Sequence, residues 1–357
     1  MHPRPVILNL PDVQSRERFL GALRRERIDR PSLGTATSLA NTEAMRLCGA
    51  SFPEAHLDAK KMAELAAFVS IEAGFDMVFP VFGVVTEAAA LGAEVDWGAP
   101  GVMPTIRRPR WTDPEEVLVP RDFEERPAML AVRSALSTLK KEFGTRHAIL
   151  GKVFGPWSLA YHMFGVDHVL MMTLDDPPKL DAILARLAGA SFRSAMAQIS
   201  AGADALCFAD HCSRDMCPPQ AYRRFLMPHH VEFARRIPCP LILHACGQTS
   251  DRIADFSRTG LACFHYDTRV PATTAVREAG GRIALMGGVG NVASLRAGDT
   301  VRIHEEVRTA VAAGIHIIGP ECAIPLDTPM SALQTIAPAL AGLFPSGAFP
   351  KPAAFAS

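Results

Sequence analysis

His244 and Cys246 stand one residue apart at the end of Leu241-Ile242-Leu243-His244-Ala245-Cys246-Gly247. The run is apolar up to the histidine, and a glycine breaks it. It reads as a buried strand that delivers two soft metal ligands at its C-terminal end. Side chains at i and i+2 of a strand point to one face, so the imidazole and the thiol project together. A zinc ion needs more than two ligands. The third candidate is Cys322, which ends a second apolar run, Ile317-Ile318-Gly319-Pro320-Glu321-Cys322. Two cysteines and one histidine leave one coordination position open, the arrangement of a catalytic rather than a structural zinc. The plainer alternative is that these cysteines are small buried hydrophobes, an ordinary role for a free thiol. Ligands at two strand ends, rather than one short H-x-C, favour the metal.

Such a site needs strands whose ends meet. Helical periodicity places Phe19, Leu20 and Leu23 on one face of a helix over 15–27, with arginines opposite. Ser15 is a candidate N-cap, and Asp29-Arg30-Pro31 stops the helix. Apolar strands are predicted at 33–38, 75–82, 148–154, 205–208, 241–245, 262–266, 283–286 and 316–318. Helices are predicted at 41–48, 58–73, 127–143, 177–201, 219–235, 250–257, 272–279, 301–313 and 331–343. The Pro-, Gly- and Arg-rich stretch 100–110 reads as a surface loop. Eight apolar strands alternating with helices describe a parallel α/β sheet buried on both faces. The expected fold is one (β/α)8 TIM barrel over 1–357, with an N-terminal helical extension and a long insertion after strand 2. An open doubly wound sheet is the alternative, but no G-x-G-x-x-G follows the first strand. Barrel active sites lie at the C-terminal ends of the strands. His244 and Cys246 belong to the fifth strand and Cys322 to the eighth. Asp210, Asp267 and Asn291 share that rim, where loop capping and turn formation explain them equally well.

Composition narrows the partners. The chain has 357 residues, 48% of them hydrophobic, enough for a large core without disulfides. Lys+Arg and Asp+Glu both number 37, so no basic excess exists to bind nucleic acid. No apolar stretch reaches the ~18 residues of a membrane span, and residues 1–5 lack the order of a signal peptide. A cytoplasmic location with reduced thiols is expected. Cys207, Cys212, Cys217, Cys239 and Cys263 read as packing thiols.

Three further segments resemble the uroporphyrinogen decarboxylase superfamily. They are Ser15-Arg16-Glu17-Arg18-Phe19-Leu20-Gly21-Ala22-Leu23 with Ile28-Asp29-Arg30-Pro31, Leu91-Gly92-Ala93-Glu94-Val95, and Gly155-Pro156-Trp157-Ser158-Leu159. The resemblance covers nearly the whole chain and implies a (β/α)8 barrel. The superfamily's decarboxylases carry paired N-terminal arginines and an aspartate before the Leu-Gly signature. Here residues 32–38 hold no arginine and 77–86 no aspartate, and Cys322 stands where those enzymes have a late histidine. The chain is more similar to the methylcobamide:coenzyme M methyltransferase branch, whose zinc is held by His-x-Cys and one distant Cys. His244-Ala245-Cys246-Gly247 and Glu321-Cys322-Ala323-Ile324 match those motifs, and Ser51-Phe52-Pro53-Glu54-Ala55-His56 matches another stretch. The chain departs from the branch around Cys322, where the usual surround is richer in glycine, and at Gly287-Gly288-Val289-Gly290-Asn291.

The resemblance implies zinc-dependent transfer of a methyl group from a methylated corrinoid, such as methylcobalamin, to a thiol such as coenzyme M. Zn2+ would sit on His244, Cys246 and Cys322, and the corrinoid would be free or carried by a corrinoid protein. Asp267 or Asp210 could bond to His244 from behind or serve as a displaceable fourth ligand. Asp267 ranks first, because its strand neighbours that of His244. Asn291 and Tyr161 are the candidates for contact with the cofactor. A homodimer is compatible with the sequence. Three alternatives stay open: decarboxylation of a smaller substrate without zinc, transfer to a non-thiol acceptor such as a folate, and a non-catalytic barrel that binds a corrinoid or a protein.

Overall fold

The computed structural model describes residues 14–344; the stretch 1–5 lies outside them. Eight strands follow in chain order: β1 (Ser32–Leu33), β2 (Met77–Val78), β3 (Ala148–Phe154), β4 (Ala205–Ala209), β5 (Leu241–Ala245), β6 (Cys263–Tyr266), β7 (Ala284–Val289) and β8 (Ile317–Pro320). All pair in parallel, in the order β1-β8-β7-β6-β5-β4-β3-β2. Every strand residue is buried, as it must be when side chains fill the barrel on one face and pack under helices on the other.

Only the β1–β2 seam lacks a ladder, and Asp76 closes it. Its N–H donates to the Leu33 carbonyl at 2.9 Å, and its Oδ2 accepts from the Leu33 N–H at 2.8 Å and from Ser32 Oγ at 2.9 Å. Arg18 reaches Asp76 Oδ1 at 3.0 Å, and Arg30 reaches Oδ2 at 3.2 Å. Burial pushes the Asp76 carboxyl up, but Arg30 and Arg18 outweigh it and hold the group below its usual range. Arg18 therefore does not face solvent opposite the apolar residues of the first helix. It is buried with them and also grips Asp29.

Several elements differ from their predicted bounds, for local reasons. The first helix is Ser15–Leu23 with Gln14 at its N-cap, so Ser15 is its first residue rather than its cap. β2 stops at Val78, because Pro80 has no N–H to extend a ladder. The helix expected over 219–235 is broken into Pro219–Ala221, a π-turn over Tyr222–Leu226, and Met227–Arg236. Pro228 cannot donate back to the preceding turn, and the wider π-turn accommodates that. The 250–257 helix shrinks to Ile253–Phe256; the Arg252 guanidinium just before it is bound to the carbonyls of Cys212 and Cys217. The 100–110 loop proves to be the tip and return strand of a small hairpin that pairs Val95–Asp96 with Thr105–Ile106. That hairpin belongs to the insertion that follows β2. Two unpredicted helices, Pro156–Phe164 and Val166–Asp175, precede the long Pro177–Ser200 helix. Among the described residues, no helix is long and apolar enough to cross a membrane.

Candidate metal centre

β5 and β8 end at the same rim, with β6 and β7 between them. His244 Nε2 lies 3.0 Å from Cys246 Sγ, and Cys246 Sγ lies 3.0 Å from Cys322 Sγ. Cys322 Sγ and His244 Nε2 are 3.4 Å apart, which closes the triangle. Among the described residues this is the one group of three or more His, Cys, Asp or Glu side chains poised to share an ion. The contact between the two sulfurs raises the Cys246 thiol and lowers that of Cys322. Two thiols and an imidazole, with one coordination position left for a substrate, fit the donor preference of zinc. Away from the centre, burial pushes Cys207, Cys217 and Cys239 up to about 12, and they stay protonated.

Backbone geometry aims the ligands. Gly247 takes φ +88° directly after Cys246, a value that a side chain disfavours. Its N–H donates to Asp267 Oδ2 at 2.8 Å. At β8, a Cβ on Gly319 would meet the Gly34 carbonyl oxygen at 2.1 Å. Glycine there lets β8 run against β1 and bring Cys322 to the rim. Glu321, the residue before that cysteine, accepts from the backbone N–H of Thr268 at 2.9 Å and of Asn291 at 2.8 Å, and from the Thr268 hydroxyl. Asn291 Nδ2 donates to the carbonyl of Ala323, the residue after it, at 2.8 Å. Cys322 is thus fixed on both sides by the loops that follow β6 and β7. Beside the centre, His265 pairs in register with His244, with ring centroids 4.6 Å apart. Its Nε2 faces the Pro320 carbonyl at 2.8 Å, and burial keeps the ring neutral and donating.

The two aspartates fall elsewhere than expected. Neither aspartate's carboxylate bonds to the His244 ring, whose Nδ1 is buried without a partner. Asp267 instead braces Gly247 and accepts from the Arg269 N–H at 2.9 Å. Asp210 is wholly buried behind the sheet. It accepts from the Ser158 N–H at 2.8 Å and pairs with His230 Nε2 at 3.0 Å. It touches the centre only through its own N–H, which donates to the His244 carbonyl. A neighbouring strand did not mean a neighbouring carboxylate, because backbone N–H groups of the rim loops and His230 have taken these two. Asn291 positions the Cys322 loop and keeps one buried atom, Oδ1, unpartnered. The Tyr161 hydroxyl is engaged by the Met216 carbonyl at 2.6 Å. Sequence reasoning missed His265 and Glu321. Strand alternation in Cys263-Phe264-His265-Tyr266 could have found the first; nothing in the sequence announces the second.

The chain as a whole is similar to known proteins. The uroporphyrinogen decarboxylase (URO-D) family profile matches residues 14–341. A methylated-thiol–coenzyme M methyltransferase of Methanosarcina mazei is 30% identical over 318 residues, covering 89% of this chain and 86% of the relative. A methylcobamide:CoM methyltransferase of Methanosarcina barkeri is 25% identical over 322 residues, covering 89% and 95%. The solved structure of a methyltransferase from Methanosarcina mazei superposes with a TM-score of 0.90 at 26% identity, covering 93% of this chain and 100% of the other.

Proposed function

The chain belongs to the uroporphyrinogen decarboxylase family, and on that footing we propose that it is a zinc-dependent methyltransferase. It moves a methyl group from a methylated corrinoid to a thiol such as coenzyme M. The observation that carries this reading is the convergence of His244, Cys246 and Cys322 at one barrel rim, in a chain whose relatives are named as methyltransferases acting on coenzyme M. Those three residues would hold the ion. Zinc, when bound, keeps an acceptor sulfur deprotonated and nucleophilic at neutral pH.

The chain's own contribution is orientation. Gly247 and Asp267 set the Cys246 turn, Glu321 and Asn291 set the Cys322 turn, and the His265 ring packs beside that of His244. Asn291, at the rim beside Cys322, is the residue that would lie against the incoming corrinoid, free or carried by a partner protein. The Tyr161 clasp on Met216 shapes the loop after β4 around it. The reduced thiols suit a cytoplasmic setting. Decarboxylation finds less support: Asp76, the last aspartate before the Leu91-Gly92 signature, is tied to Arg18 and Arg30 at the opposite end of the barrel.

The test is the absorbance of methylcobalamin incubated with zinc-loaded protein and a panel of thiols. Loss of the methylcobalamin spectrum with at least one thiol, matched by methylated thiol in the product, is expected. An unchanged spectrum across the panel and with a reduced folate, from protein that carries zinc, would overturn the reading.

A further inference from the structure

Lys152 is a buried ammonium that the fold leaves almost bare. It lies within β3 at 5% exposure. Its Nζ has one hydrogen bond, to the Gly83 carbonyl at 3.2 Å, and sits 4.9 Å from the centroid of the Phe154 ring. No carboxylate pairs with it among the described residues. The nearby carboxyl of Glu87 is turned to Ser194 Oγ at 2.9 Å and the Phe154 N–H at 3.3 Å, and burial pushes it up, toward its neutral form. An ammonium offers three donors, and burying it with one partner is unfavourable unless an anion joins it.

The barrel decides where that anion would be. A side chain on Gly151 would meet Gln198 of the outer helix, so its neighbour Lys152 points inward. Through the paired register, Lys152 aligns with Cys207 and Phe154 with Ala209, and Ala209 aligns with His244. Lys152 therefore shares the interior with the metal centre, two strands away, and its reach to Gly83 takes it toward the rim. The Phe154 ring lies 5.3 Å from that of His162. His162 Nδ1 is buried without a partner, and burial, with Lys152 and His211 nearby, keeps the ring neutral.

We propose that Lys152, with the His162 ring beside it, is a specificity-determining site that receives the acidic group of the methyl acceptor, so that the protein selects thiols carrying a sulfonate or carboxylate over neutral thiols. This rests on the methyltransferase reading and names what its acceptor must carry. A lysine that merely offset the charge of the centre would favour every thiol alike, whereas a receptor for an acidic group discriminates between them.

The experiment is calorimetric titration of zinc-loaded wild type, Lys152→Met and Lys152→Arg with 2-mercaptoethanesulfonate and with 2-mercaptoethanol. Wild type is expected to bind the sulfonate thiol about 10- to 100-fold more tightly, the worth of a charged hydrogen bond. Lys152→Met brings the ratio of the two affinities toward one, and Lys152→Arg keeps part of it. Lys152→Gln serves if the methionine variant does not fold. No preference in wild type, or a ratio unchanged in Lys152→Met, overturns the assignment. Methylcobalamin turnover, measured in parallel, separates the two failures. Turnover without a thiol preference sinks only the lysine assignment, whereas a lysine-dependent preference without turnover sinks only the methyltransferase reading.

Discussion

Cys322 sits between two hydrogen-bonded residues, Glu321 and Ala323, and Asn291 holds both. That arrangement makes Asn291 a positioning residue for a metal ligand. Residues that orient ligands change metal affinity about 10- to 100-fold when removed. Asn291→Ala removes the amide that holds the Ala323 carbonyl and should weaken zinc binding by that factor, measured by competition with a chromophoric chelator, while the far-UV spectrum stays unchanged. Undiminished affinity would show that the Cys322 loop holds itself. At this scale the sequence was legible wherever chemistry and period coincided. His244 and Cys246 share a strand face and Cys322 ends another strand, so composition and spacing pointed to them. The partners of Asp267, Asp210 and Glu321 were not legible, because loop contacts between strand ends follow from how the whole barrel closes.

Strand β2 shows why element boundaries were harder to read than element existence. Its apolar run continues past Val78, but Pro80 ends the ladder, and on the other side Asp76 takes the place of a strand partner. The count of eight strands was legible from the alternation of apolar runs with amphipathic segments. The two-residue strands at the seam, the π-turn ahead of Pro228 and the helices at 156–175 were not, since each depends on a tertiary partner. The seam carries its own prediction. Asp76→Ala removes the carboxylate shared by Arg18, Arg30, Ser32 and the Leu33 N–H, and loss of one partner of a buried ion pair costs about 3–5 kcal/mol. Urea denaturation should show a drop of that size. Because the folded-state pKa of Asp76 is lowered, its contribution is present at neutral pH and is lost as acid protonates it. The gap between wild type and variant should therefore narrow toward low pH. A gap that stayed constant would assign the effect to packing instead.

The barrel as a whole explains how residues 76 and 78 positions apart in the chain become neighbours at Cys322. β5 and β8 are joined through two intervening strands, and the loops after β6 and β7 brace the far ligand. The centre is thus a property of the closed fold, and a metal bound there ties the two sides of the rim together. The most direct test is zinc-edge X-ray absorption on purified wild-type protein and on Cys322→Ala. The account predicts two sulfurs at about 2.3 Å and at least one nitrogen or oxygen at about 2.0–2.1 Å in the wild type, with one sulfur or no bound zinc in the variant. A first shell without sulfur, or the same two sulfurs in Cys322→Ala, would contradict it.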